Sequence, residues 1–268
     1  MKPVIERLIA AEPDSLRQRS IVREYLQARI LQSLQDSGAF SHWAFLGGTA
    51  LRFLFELPRY SEDLDFSVVS TGVPDEFERH VELVTRDLSR EAYNIDARMA
   101  GQGAVRSAFL RVRGLLHELG ISGHRDEALS IKVELDTNPP PGAGVETRML
   151  RRFVMLNLLH YDRRSLFAGK LHAVFARGYT KGRDLYDLLW YLSDATWPPP
   201  NLVFLNQALR QTAWPGPMAT ENTWKQMVLT ALGRVNWRRA VDDVSPFLER
   251  PHEAQLIRFE TFAQLLRE

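Results

Sequence analysis

The chain has 268 residues, with 34 Lys and Arg against 33 Asp and Glu and a formal net charge of +1. Hydrophobic residues make up 45% and charged residues 25%, a globular balance with length for one large domain or two small ones. Near-neutrality removes any global electrostatic case for nucleic acid or an anionic membrane, and the absence of cysteine removes a disulfide framework and a thiolate or structural zinc site.

The opening MKPVIERLIAAEPD is too short in apolar residues, and too interrupted by Glu6 and Arg7, for a secretory signal. No uncharged window is long enough to span a bilayer. A cytoplasmic, membrane-free location is the expectation. From Ser15 to Leu34, Ile21, Tyr25, Leu26, Ala28, Ile30 and Leu31 recur near helical spacing and predict an amphipathic helix. HWAFLGG leads to Gly47-Gly48-Thr49, and TALRFLFEL predicts a helix that Pro58 ends. DLDFSVV reads as a short strand, and PDEFERHVELVTRDLSREA as a helix with Pro74 near its start.

Three strands are predicted next, NIDARM, SAFLRVRG and LSIKVELD. The loop TNPPPGAGVE separates them from RRFVMLNLLH, predicted as one further strand. Beyond Tyr161 the pattern is helical, at about 163–178, 182–194, 200–213, 220–232 and 253–267, with Pro198 to Pro200 as a break. The organisation predicted is an α+β core over 1–160 with an N-terminal helix, then a helical part over 161–268.

Three stretches carry chemistry. In the first, FLGGTALRFLFELPRYSEDLDFSV, Asp63 and Asp65 stand two apart, so a strand points them to one side while Leu64 and Phe66 face the core. Like charges that close repel unless a cation lies between them. Mg²⁺ is the natural occupant, since it takes oxygen ligands and is commonly held by one or two carboxylates plus substrate phosphates. Gly47 and Gly48 allow close approach of backbone to a ligand, and the helix N-terminus offers free N–H groups to an anion. Thr49 adds a hydroxyl as helix cap or phosphate donor. Read blandly, Gly-Gly is a turn and Asp-x-Asp a solvated pair; their order together points to a triphosphate site.

In the second stretch, LSIKVELD, Ile131, Val133 and Leu135 alternate with Lys132, Glu134 and Asp136. A half-exposed strand explains that pattern by itself. Beside Asp63 and Asp65, a third carboxylate could complete the metal site or accept a proton. Glu134 is the first choice and Asp136 the alternative. The third stretch runs from Arg151 to Arg183, with eight Lys and Arg against one acid, Asp162. Lys170 and Arg177 share a helix face, and the cluster suits a triphosphate or an RNA backbone. Asp184 and Asp187 sit at a helix start, where acids are favoured by the dipole alone. Residues 195–268 show no functional signal.

FLGGTALRFLFELPRYSEDLDFSV, IKVEL and FAGKLHAVFARGYTKGRDLYDLLWYL together resemble the AbiEii/AbiGii toxin family of nucleotidyltransferases, which includes the MenT-type toxins. The resemblance covers about residues 20–195 and implies a DNA polymerase β-like nucleotidyltransferase core, a mixed sheet flanked by helices. Its pattern falls on Gly47 to Leu51, on Arg59, Ser61, Asp63, Leu64, Asp65 and Phe66, and on Lys170, Arg177, Arg183, Asp184 and Asp187. It implies that Asp63 and Asp65 hold Mg²⁺ or Mn²⁺, that Gly48 and Thr49 cradle phosphate, and that Lys170 contacts the triphosphate; Gly47 and Arg177 are candidates beside them, and Glu134 is the candidate third metal-holding acid with Asp136 still open. Asp184 would act as base or orienter. The implied function is a toxin of a type IV toxin–antitoxin or abortive-infection system, moving NMP from NTP to an RNA acceptor such as the tRNA 3′ end. The implied partner is a cognate antitoxin. A small-molecule or protein acceptor, or a nucleotide-binding module without turnover, are the alternatives.

Overall fold

The computed structural model describes residues 2–70, 74–101, 103–179 and 181–267. In chain order the first elements are α1 (Lys2–Ile9), α2 (Ser15–Asp36), β1 (Trp43–Leu46), α3 (Gly47–Phe55), β2 (Leu64–Val68), α4 (Phe77–Arg90), β3 (Ile95–Ala100), β4 (Val105–Arg113) and the short α5 (Leu115–Glu118). Then come β5 (Ala128–Asp136), β6 (Val145–Arg152), β7 (Val154–Tyr161), α6 (Arg163–Ala176), α7 (Gly182–Ser193), α8 (Leu202–Gln211), α9 (Trp224–Leu232), α10 (Trp237–Val244) and α11 (Phe259–Leu265). The fold is α+β, with one mixed seven-stranded sheet in the order β3-β4-β5-β2-β1-β7-β6 flanked by helices.

The chain divides into two compact units. The first comprises Met1–Phe55, Tyr60–Asn138 and Thr147–His160; the second comprises Glu56–Arg59, Pro139–Glu146 and Tyr161–Glu268.

In the first unit the sheet centre is set by apolar alternation. β5 buries Leu129, Ile131, Val133 and Leu135 and turns Lys132, Glu134 and Asp136 to the other face. β2 runs parallel to β5 and antiparallel to β1, and its Leu64 and Phe66 are buried. Phe45 and Phe66 stack with ring centroids 5.3 Å apart. Each such buried ring is worth about 2–3 kcal/mol of transfer free energy. α2 starts where Asp14 accepts a hydrogen bond from the Arg17 amide at 2.9 Å, and its Leu26, Ile30 and Leu31 are fully buried. α4 buries Phe77, Val81, Val84 and Leu88, one stripe at helical spacing. It begins at Phe77, three residues after Pro74, behind a left-handed Glu76 (φ +48°) at the cap position.

α2 is joined to α3 by a buried charge cluster. Glu24 accepts from Arg52 and from Arg152, whose Nε lies 2.7 Å from its Oε1. Arg52 also stacks 4.4 Å over the Tyr60 ring. Removing the shared carboxylate leaves two cations facing each other, the Arg52 one buried. Glu24→Ala is expected to cost about 3–5 kcal/mol of stability. Urea unfolding checks it, and a loss under about 1 kcal/mol would show the cluster to be solvated.

RRFVMLNLLH is not one strand. Phe153 at φ +61° breaks it between β6 and β7. The predicted 253–267 helix is a 3₁₀ segment, Pro251–Leu256, followed by α11. The second unit adds α10, which the sequence reading left unassigned, and packs α6 against α7, α8 and α9. Its core is aromatic: Phe167 stacks on Tyr191 at 4.7 Å and meets Trp224 edge-on at 5.7 Å.

Candidate active site

β1 ends at Leu46, whose register partner is Asp65 on β2. The chain turns at once into α3, and Gly47 makes the turn at φ +79°. A Cβ at Gly47 would run into the Asp65 carboxylate. Glycine is therefore required twice, for the left-handed backbone and for the close approach. Thr49 is fully buried and its hydroxyl donates to the Asp63 carbonyl. That bond ties the first turn of α3 to the Asp-x-Asp backbone. From α2, the buried Gln27 amide donates to the carbonyls of Ser61 (3.1 Å) and Glu62 (3.0 Å) and steadies the chain just before Asp63. Gln27 carried no motif and escaped the sequence reading.

Asp63 immediately precedes β2, and Asp65 lies on it; both are half-buried. Across the parallel ladder Asp65 pairs in register with Glu134, and Asp136 falls one side-chain pair further on, opposite Ser67. Glu134 lies 2.7 Å from the Lys132 ammonium. Asp136 accepts from the Asn138 amide at 2.9 Å, and burial pushes its carboxyl above the ordinary value. Among the described residues no three His, Cys, Asp or Glu are gathered closely enough to hold a metal. Asp63, Asp65 and Glu134 do not form a closed three-carboxylate cage. Gly47 itself sets no side chain against the Asp65 carboxylate. Two acids with an open side fit a hard cation completed by substrate oxygens.

In the second unit Lys170, Arg177, Asp184 and Asp187 form one cluster. Lys170 Nζ lies 2.8 Å from Asp184 Oδ1 and 2.8 Å from Asp187 Oδ2. Arg177 lies 2.8 Å from the other Asp184 oxygen. Arg59, buried to 3% exposure, grips Asp187 with two hydrogen bonds of 2.6 and 2.7 Å. Burial opposes both charges of the Lys170–Asp184 pair, but the attraction wins. Lys170 is held above its ordinary 10.5 by Asp184 and Asp187, and Asp184 below its ordinary 3.8 by Lys170 and Arg177. The sign follows. Asp184 contributes stability above pH 3.8 that is lost as pH falls further; Lys170 contributes below pH 10.5 and loses it as pH rises further. Thermal stability is expected to be flat between about pH 7 and 9 and to fall on both sides, on the acid side first because burial holds His172 of α6 below its ordinary 6.5, so that its protonation costs stability as pH falls. A melting series over pH checks this, and a steep slope between about pH 7 and 9 would contradict it.

The nucleotidyl transferase AbiEii toxin model, of type IV toxin–antitoxin systems, matches residues 29–267. The chain belongs to the AbiEii family. It is thus a nucleotidyltransferase of a toxin family, and the family brings with it an NTP substrate and a cognate antitoxin. No curated protein matches the chain. Among solved structures, MenT4, a nucleotidyltransferase toxin of Mycobacterium tuberculosis H37Rv, has a TM-score of 0.57 at 16% identity, covering 100% of this chain and 90% of that one. JHP933 from Helicobacter pylori has a TM-score of 0.53 at 18% identity, covering 92% and 91%. At such identities the likeness establishes the fold. Among the described residues of this AbiEii chain, no helix is long and apolar enough to cross a membrane.

The basic run of the AbiEii chain is taken apart by the structure. Arg152, Lys170 and Arg177 are bound to carboxylates. Arg163 stacks 4.3 Å over Trp197 and Arg164 donates to the Pro199 carbonyl at 3.2 Å, so both brace the turn after α7. Arg183 lies 4.3 Å over the Phe247 ring. Lys181 remains half-buried, its ammonium held below the ordinary lysine value by burial. Clustering in the sequence is therefore no measure of free charge, since Arg152, Lys170 and Arg177 are each matched by an acid.

Proposed function

We propose that this AbiEii chain transfers a nucleoside monophosphate from an NTP to the 3′-terminal hydroxyl of tRNA and so blocks translation, with a cognate antitoxin restraining it. The observation that supports the chemistry is the meeting of Gly47 with the Asp65 carboxylate at the start of α3. It puts a glycine turn, a helix N-terminus and the Asp-x-Asp pair at one end of the sheet. In the step itself the acceptor oxygen bonds to the α-phosphorus. The bond from that phosphorus to the bridging oxygen breaks, and pyrophosphate leaves with the electron pair. The hydroxyl proton passes to a carboxylate.

Asp63 and Asp65 are the residues that would hold Mg²⁺ or Mn²⁺. When bound, that ion supplies the positive charge that offsets the phosphate oxygens. Gly47 keeps space open beside Asp65, and the Gly48 amide at the helix start faces phosphate. Thr49 and Gln27 hold the Asp63 backbone in place. Glu134 is assigned as third acid over Asp136, because the register sets it beside Asp65, with Lys132 orienting it. In the second unit Lys170 and Arg177 are assigned as the phosphate-binding cations, with Asp184 as the carboxylate that orients them.

Gly47→Ala adds about 1–2 kcal/mol of backbone strain and displaces Asp65. Turnover is expected to fall at least about tenfold, out of proportion to any drop in melting temperature. Unchanged turnover would remove the close approach from the account. The acceptor is tested by pyrophosphate release with each NTP, using tRNA whose 3′ diol is intact or has been oxidised with periodate. Release only with the intact diol is expected; equal release with oxidised tRNA would overturn the 3′-hydroxyl assignment.

A further inference from the structure

The second unit contains a cavity of about 940 Å³, walled by the end of α6, the start of α7, the 214–217 loop and α9. It lies largely in the region whose sequence gave no functional signal. Small-ligand cavities run from about 300 to 1,000 Å³, so this one lies at the upper end of that range. Its walls combine two chemistries. Arg177, Lys181 and Arg234 bring three cations, while Asp184 is the single carboxylate among the residues lining it. Asp184 already gives its oxygens to Lys170 and Arg177, which leaves Lys181 and Arg234 to face an incoming anion. Trp214, half-buried against Phe175 with centroids 6.0 Å apart, and the exposed Tyr179 bring aromatic faces. Cations beside aromatic rings are what single-stranded nucleic acid requires, with phosphates on the former and bases on the latter.

We propose that this cavity seats the single-stranded 3′ segment of the RNA acceptor, with a base stacked on Trp214 and backbone phosphates against Lys181 and Arg234. The inference rests on the RNA-acceptor reading above and gives α9 and the 214–217 loop a part in acceptor choice. Burial of Lys181 supports it, since a phosphate restores the stabilisation that desolvation removes from its ammonium.

The probe is a 5′-fluorescein single-stranded 12-mer RNA ending in CCA, read by anisotropy over a salt series with the full chain. Arg234→Glu is expected to weaken binding about tenfold and to flatten the log–log salt slope by about 1. Trp214→Ala is expected to weaken it about five- to tenfold at unchanged salt slope, with Trp214→Phe restoring most of the loss. In the transfer assay KM for tRNA should rise in parallel while KM for NTP holds. RNA affinity within twofold of the parent in both Arg234→Glu and Trp214→Ala, each shown to be folded by its melting curve, would overturn the proposal. A rise in KM for NTP instead would assign the cavity to the nucleotide and also overturn it. The two readings separate: transfer to tRNA with binding indifferent to these variants sinks only the cavity, and cavity-dependent RNA binding without transfer sinks only the reaction.

Discussion

Asp65→Ala is expected to lower nucleotidyl transfer by about a thousandfold or more, with the melting temperature unchanged or raised. The two halves of that expectation share one cause. Asp65 sits in register with Glu134 and against Gly47, two residues after Asp63, so the folded protein holds acids close together. Like charges in such proximity cost free energy in the absence of a counter-cation. Deleting one removes that repulsion, which Lys132 beside Glu134 offsets only in part. During the reaction the same deletion halves the pair that would hold the cation, and a thousandfold corresponds to about 4 kcal/mol of transition-state stabilisation. A structural carboxylate behaves the other way, with stability falling and activity following it. Measuring kcat and melting temperature on one preparation separates the cases. Asp65→Asn should behave as Asp65→Ala does, since it keeps the shape and removes the charge. Full activity in either variant would end the catalytic reading of this position.

Asp187→Ala is expected to be the most destabilising single change in the second unit, at about 3–5 kcal/mol. Asp187 is fully buried and answers two cations, Arg59 through a two-point contact and Lys170 at 2.8 Å. Its removal takes the two-point carboxylate partner from Arg59, whose guanidinium is almost wholly buried, and burial already works against that charge. Replacing both partners, as in Arg59→Met with Asp187→Leu, should recover much of the loss, because a buried pair is often no better than an apolar pair of similar volume. A double-mutant cycle by denaturant unfolding measures this coupling. A single-variant loss near zero would show that water reaches Arg59.

What was legible in the sequence depended on range. The Asp63 and Asp65 pair, the glycines before α3 and the alternation of β5 are local patterns, and period 2 or a left-handed turn writes them into adjacent residues. The partner of Arg59 stands 128 positions away, so no window could show it, and Asp187 read as an ordinary helix-start acid. The β6–β7 turn was hidden for a different reason. Phe153 takes φ +61° without Gly, Asn or Pro to announce it, and the run RRFVMLNLLH keeps its apolar character through the turn. β1 is only four residues long and merges into the apolar approach to Gly47, which left it without a boundary of its own. The count of charges in the basic segment could not show its pairing: Arg152 meets Glu24, and Lys170 and Arg177 meet Asp184. The cavity near α9 left no trace in sequence because Lys181, Trp214 and Arg234 come from three separate stretches.

The central claim is that the Asp63–Asp65 pair moves a nucleotide onto RNA. The most direct measurement incubates the purified chain and Mg²⁺ with total bacterial tRNA and each of the four α-labelled NTPs, beside the Asp63→Ala/Asp65→Ala double variant. The account predicts label on tRNA with at least one NTP for the parent chain and none for the variant. Equal label in both, or no label on tRNA with any NTP while the parent binds nucleotide, would contradict it.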